Sequence, residues 1–271
     1  MRRLGPITLN LIRSLAAFVF LGLVVAFIGV HGFSEMSGPV VLTMIGSGIL
    51  AVALGDTLFF AVLPTLGASL AVPVSSAVYP MLTFFVAVLW LDETLTGMVV
   101  LGSALVLIGI FLLVWRTETT VGLPQEAVAH RTDTRRSVLL LMLASIFYAA
   151  STIWLRAGSS DAHALPANVL RATAASLFLL MALSFRRPAE RQRPTVLAVA
   201  SLIVAGILSI GVGGLLYIQA VQEAGAGRTA ILTSTMPLFN LPLAVFFLRE
   251  RVTPRIMAGT ITCVLGIWLI V

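Results

Sequence analysis

Charged residues fall in clusters along this chain, and the stretches between clusters carry almost none. From Gly38 to Leu91 the only charged side chain is Asp56. Divided at Arg, at Asp/Glu and at Pro/Gly punctuation, the chain yields apolar runs near 14–30, 39–62, 67–90, 97–115, 137–155, 166–185, 195–218, 229–248 and 255–271. Each is close to the ~20 residues a helix needs to cross hydrocarbon. The runs are apolar on all sides rather than alternating, so they predict helices and not barrel strands. A helix satisfies its own backbone hydrogen bonds in lipid. The expected fold class is an all-α polytopic membrane protein with nine transmembrane helices.

Composition supports this. Of 271 residues 59% are hydrophobic and 10% charged, more apolar surface than one soluble core can hide. Arg2 and Arg3 ahead of an apolar run also fit a secretory signal peptide, but the run 14–30 is long enough to span. All 17 basic residues are Arg, which excludes a phosphate-loop lysine and a Schiff-base lysine. They concentrate between spans, where arginine sets topology and touches lipid headgroups, so nucleic acid is not an expected partner. By the positive-inside rule their distribution places the N-terminus in the cytoplasm and the C-terminus outside, with Arg13 read as a residue at the edge of the first span and Arg171 as a charge of the opposite side.

Sliding the chain on itself exposes a repeat. At an offset of 158, Arg13 with Ala16 and Ala17 falls on Arg171 with Ala174 and Ala175, "GIL" at 48–50 on "GIL" at 206–208, Gly55 on Gly213, and Gly67-Ala68 on Gly225-Ala226. At an offset of 157, Pro80 meets Pro237, "LDETLT" at 91–96 meets "LRERVT" at 248–253, Gly102 meets Gly259 and Gly109 meets Gly266. The halves are 1–115 with four helices and 137–271 with five, joined by a loop at 116–136. A five-helix unit is odd in number, so its tandem copy enters from the opposite side, the inverted-repeat plan of secondary transporters. The opening run of the second half, 137–155, has no counterpart in the first, and the expectation is that a further helix once preceded Met1. The alternative is that the nine-helix form is native and fills the resulting groove by repacking or by forming a homodimer.

The matched Gly-Ala, the polar residues around a mid-span Pro, the "L-x-E-x-x-T" and the Gly-spaced final helix, present in both halves, resemble the EamA-type family of the drug/metabolite transporter superfamily. The resemblance covers 13–115 and 137–271. It implies two five-helix units around a central substrate path and export of amino acids, metabolites or drugs. Set against that plan, the expectation is four helices rather than five in the first half of this chain.

Candidate residues follow from polarity inside spans. Asp56, an ionisable group in an apolar run, normally faces a cavity or a partner, and a proton or another cation is the coupling ion it would serve. An internal hydrogen bond tying helices together is the plainer reading. Ser76 matches Thr233 and Thr83 matches Asn240, seven residues apart and on one helix face, flanking Pro80 and Pro237. Each proline removes a backbone bond and bends its helix, so these two helices are the expected substrate walls. The alternative is that the hydroxyls bond within their own helix. Tyr79, Tyr217 and Gln219 add aromatic and amide contacts, while the tryptophans read as interfacial anchors. Glu93 and Glu250 read as helix-end residues, and the paired glycines as close helix contacts.

His31, His130 and His163 are far apart, Cys263 is alone, and no catalytic or metal motif accompanies them. The "GAG" within "EAGAGRTA" at 223–230 follows no strand, so no nucleotide site is expected. The expected protein is therefore not an enzyme and carries no cofactor or metal. It is a multi-pass secondary transporter of the inner membrane, an exporter of small molecules by alternating access, with the lipid bilayer and a small-molecule substrate as partners. A lipid-linked flippase subunit and a non-transporting membrane subunit are the rival readings.

Overall fold

A computed structural model describes residues 4–29, 32–33, 36–91, 96–114, 131–158, 162–185, 195–233, 235 and 254–270. Helices α1 (Pro6–Ile28), α2 (Gly38–Gly48), α3 (Asp56–Leu66), α4 (Ala68–Trp90), α5 (Gly97–Val114), α6 (Arg131–Gly158), α7 (Ala164–Ser184), α8 (Val196–Gly206), α9 (Gly213–Ala224), α10 (Ala226–Thr233) and α11 (Pro254–Ile270) make the fold. Two π-helical stretches, π1 (Ile49–Gly55) and π2 (Ile207–Val212), join α2 to α3 and α8 to α9. Among the described residues there is no strand. Five spans there are long and apolar enough to cross a membrane: Pro6–Ile28, Gly38–Leu66, Arg135–Gly158, Ala164–Ser184 and Val196–Ala224.

The ends of these helices follow local chemistry. Proline near the start of α1 and α2 supplies a helix-ready φ where no donor is needed. Thr195 caps α8 by accepting from the Ala198 amide at 3.3 Å. The matched Gly67 and Gly225 separate α3 from α4 and α9 from α10 at φ 73° and 89°, a left-handed turn that any side chain would strain.

The chain forms two compact units, Met1–Ala61 with Ile146–Gly225, and Val62–Ser145 with Ala226–Val271. Each draws on both sequence halves. In the first, α1 packs on α7. Both helices begin at the same point of the repeat, Pro6 and Ala164, and bury Ala17 and Leu21 with Ala172 and Ala175. Small residues let helices approach closely in a membrane, where lipid removes most of the hydrophobic drive. A reciprocal crossing follows: Gly48 of α2 lies directly on the backbone of Arg171, and its repeat mate Gly206 of α8 lies on the backbone of Arg13, the mate of Arg171. Two-fold related halves exchange contacts in this way. Helix α6 covers α2, setting Trp154 on Gly46 and Gly158 on Thr43.

In the second unit α5 packs along α11 and α4 along α10. Gly266 meets the backbone of Gly102 and Val106, the close glycine contact expected from the spacing.

One boundary and one placement correct the sequence reading. The first span starts at Pro6 rather than 14, so Arg13 lies inside α1 and not at its edge. Arg171 likewise lies inside α7, 7% exposed. Polar side chains interrupt both apolar runs but face neighbouring helices, which a count of apolar residues cannot anticipate.

Candidate functional site

A group of polar side chains of the first unit, Asn10, Arg13, Asp56 and Asn168 among them, gathers where π1 and π2 pass α1 and α7. A π turn bonds each amide to the fifth residue back, as Asp56 N does to Ala51 O and Gly213 N to Leu208 O. The wider turn releases carbonyls from the α pattern, and such stretches recur at functional sites. Here a repeated asparagine serves them. Asn10 Nδ2 donates to Val52 O at 2.6 Å and to Thr57 Oγ1 at 3.0 Å. Its mate Asn168 donates to Ile210 O at 2.9 Å and to Gly211 O at 3.0 Å. Asn168→Ala is expected to lower stability by about 1–2 kcal/mol, since its amide makes two buried bonds and each polar contact between membrane helices contributes about 0.6–1.7 kcal/mol. Thermal unfolding in a fixed detergent checks this, and a wild-type midpoint would mean that these carbonyls need no donor.

Asp56 is the first residue of α3. Its Oδ2 accepts from Arg13 Nη1 at 3.3 Å and its Oδ1 from the Tyr148 hydroxyl at 2.8 Å. Arg13 Nη2 donates to Ser209 Oγ at 2.8 Å, and the guanidinium carbon sits 4.8 Å from the centre of the Phe60 ring. The network ties α1, α3 and α6 to π2. Asp56 and Arg13 keep 21% and 13% of their side-chain surface open. The repeat mate of Arg13 is bonded differently: Arg171 Nη1 donates to Ser47 Oγ at 3.0 Å. Ser151 of α6 donates to the Ser47 carbonyl at 2.7 Å.

Of the residues singled out from sequence, Asp56, Tyr217 and Gln219 fall in this unit. The Tyr217 hydroxyl shares a 2.7 Å bond with Thr152 Oγ1, and Gln219 is exposed on α9. Ser76, Tyr79, Pro80 and Thr83 lie on α4 of the second unit, which runs on through the proline. There Thr83 Oγ1 donates to the Tyr79 carbonyl at 2.9 Å, and on α10 Thr233 Oγ1 donates to Ala230 O at 2.8 Å. For these two hydroxyls the alternative of bonding within their own helix describes the geometry. Pro237 and Asn240 lie outside the described residues, as do Glu93 and Glu250. Sequence reasoning missed Asn10, Arg13, Asn168 and Arg171 as site residues. The signal was present, since both polar pairs recur at the 158-residue offset.

A family model described as the EamA-like transporter family matches residues 1–115 and 135–271. Over 133 residues the chain is 25% identical to YvbV of Bacillus subtilis (strain 168), named an uncharacterized transporter; the match covers 49% of this chain and 44% of that relative's length. A solved crystal structure shares the fold with a TM-score of 0.74 at 15% identity, over 98% of this chain and 87% of its own. The long apolar spans and a family match over both sequence halves make this multi-pass helical membrane protein a member of the EamA-like transporter family.

Proposed function

We propose that the protein is a secondary transporter of the cell inner membrane that exports small metabolites, amino acids or drug-like solutes by alternating access. Asp56 couples that movement to a proton or another cation. The observation that carries this reading is the Asp56–Arg13–Tyr148 network inside otherwise apolar spans. A carboxylate and a guanidinium at membrane depth each cost about 2.5–3.5 kcal/mol on insertion scales, so they mark a working site with named partners. The network also touches the features a rocking mechanism needs. It links first-half α1 and α3 to π2 of the second half, where the helix is already distorted and its hydrogen-bond pattern can shift.

The test begins with a screen of overexpressing cells for altered export or resistance, which supplies a solute. Flux of that solute into vesicles reconstituted with wild type is then compared with Asp56→Asn across pH. The substitution is expected to lower the rate by about tenfold, roughly 1.4 kcal/mol in barrier, and to flatten the pH profile. Unchanged rate and profile in a folded variant would remove Asp56 from the mechanism.

A further inference from the structure

The class of solute is legible in how the charges of this site are bonded, an inference that rests on the transport reading above. Arg13 and Asp56 keep 13% and 21% of their side-chain surface open, so neither charge is sealed from an approaching group. The two residues meet through one contact of 3.3 Å rather than through the fork of two parallel N–H bonds that a guanidinium offers a carboxylate. Two of the five N–H groups of Arg13 go to Asp56 and Ser209, so the guanidinium keeps donors for a second acceptor. Ser209 and the Phe60 ring hold it in place. Asp56, by contrast, accepts on both oxygens, from Arg13 and from Tyr148. An approaching cation meets a carboxylate that is already neutralised, with an arginine beside it. A carboxylate meets a fixed, permanent positive charge with donors to spare.

We propose that the solute carries a carboxylate, that this carboxylate takes Arg13 from Asp56 as a two-point partner, and that Asp56 takes up one proton from water as Arg13 leaves it. Charge balances. The solute anion is neutralised by Arg13 and Asp56 by the proton, so the loaded site has the net charge of the empty one, and Tyr148 stays on Asp56. Among the described residues, Arg13 and Tyr148 are the charged or titratable groups bonded to Asp56, while Arg171 on α7 is bonded to Ser47 and Tyr217 on α9 to Thr152.

The full chain, purified in detergent with a pH-indicator dye and little buffer, is titrated with benzoate and separately with tetraphenylphosphonium. Benzoate is expected to bind with uptake of about one proton per site, its affinity falling by up to about tenfold per pH unit across the range where Asp56 is ionised in the empty site and protonated in the loaded one. Asp56→Asn binds benzoate without proton uptake and without that pH dependence. Arg13→Lys, which keeps the charge and loses the fork, binds about tenfold more weakly and retains the uptake. Absence of benzoate binding to folded wild type, or equal binding by Arg13→Gln, overturns the assignment. Tetraphenylphosphonium bound with proton release overturns it too, yet leaves Asp56 as a coupling residue, so this failure is distinct from that of the transport reading.

Discussion

Leucine at Gly206, or at its repeat mate Gly48, is expected to abolish recovery of folded protein from the membrane. At both positions a Cβ would overlap the backbone of the crossing helix, that of Arg13 for Gly206 and that of Arg171 for Gly48. Where a flexible side chain can yield, overpacking costs about 1–3 kcal/mol. Here a helix axis must shift, and α1 carries Asn10 and Arg13 while α7 carries Asn168 and Arg171, so the bonds to π1, π2, Ser47 and Ser209 shift with it. A cost beyond about 4 kcal/mol is a large share of the ~5–15 kcal/mol that separates folded from unfolded chains. Gly22→Leu on α1 is the matched control, because nothing lies within 4 Å of a Cβ built there. Its yield of monodisperse protein should equal or exceed that of wild type, since leucine is the better helix former by up to about 1 kcal/mol. Equal yields for all three variants would show that the crossings tolerate separation.

What the sequence made legible, and what it did not, divides by range of interaction. The membrane-spanning helices follow from uninterrupted apolar runs, a local property, and so does the oddity of Asp56 in one of them. The partners of Asp56 lie 43 and 92 residues away and are set by packing, which no run of residues displays. The repeat offered a route past that limit. "GIL" at 48–50 and 206–208 marks the entry to π1 and π2, and Gly67 and Gly225 mark the turns that close the same spans. Read with the same offset, Asn10/Asn168 and Arg13/Arg171 would have pointed to polar groups inside helices rather than to arginines that only set topology. Thr83 and Thr233 teach the reverse. Their matched positions suggested a lining, whereas in both cases the hydroxyl donates to a carbonyl of its own helix.

Removing both charges of the Arg13–Asp56 pair should cost less stability than the two single removals added together. Breaking a fully buried pair from one side costs about 3–5 kcal/mol, because the remaining charge is left without compensation. This pair is partly open, at 13% and 21% side-chain exposure, so about 2–3 kcal/mol is expected for Arg13→Gln and for Asp56→Asn alone. Asp56 left behind retains the Tyr148 hydroxyl, and Arg13 left behind retains Ser209 and the Phe60 face, which is why neither single loss should be total. The double variant places two neutral amides where two charges stood. Its loss should fall short of the sum of the singles by about 1–3 kcal/mol, the coupling expected of groups in one network. Unfolding of all four proteins in a single detergent at one pH measures this. Additive losses would mean that the two charges are stabilised independently, Asp56 through Tyr148 and Arg13 through Ser209, and that the 3.3 Å contact between them contributes nothing. A carboxylate solute could then bind Arg13 without disturbing Asp56, and proton uptake on binding would vanish with the coupling.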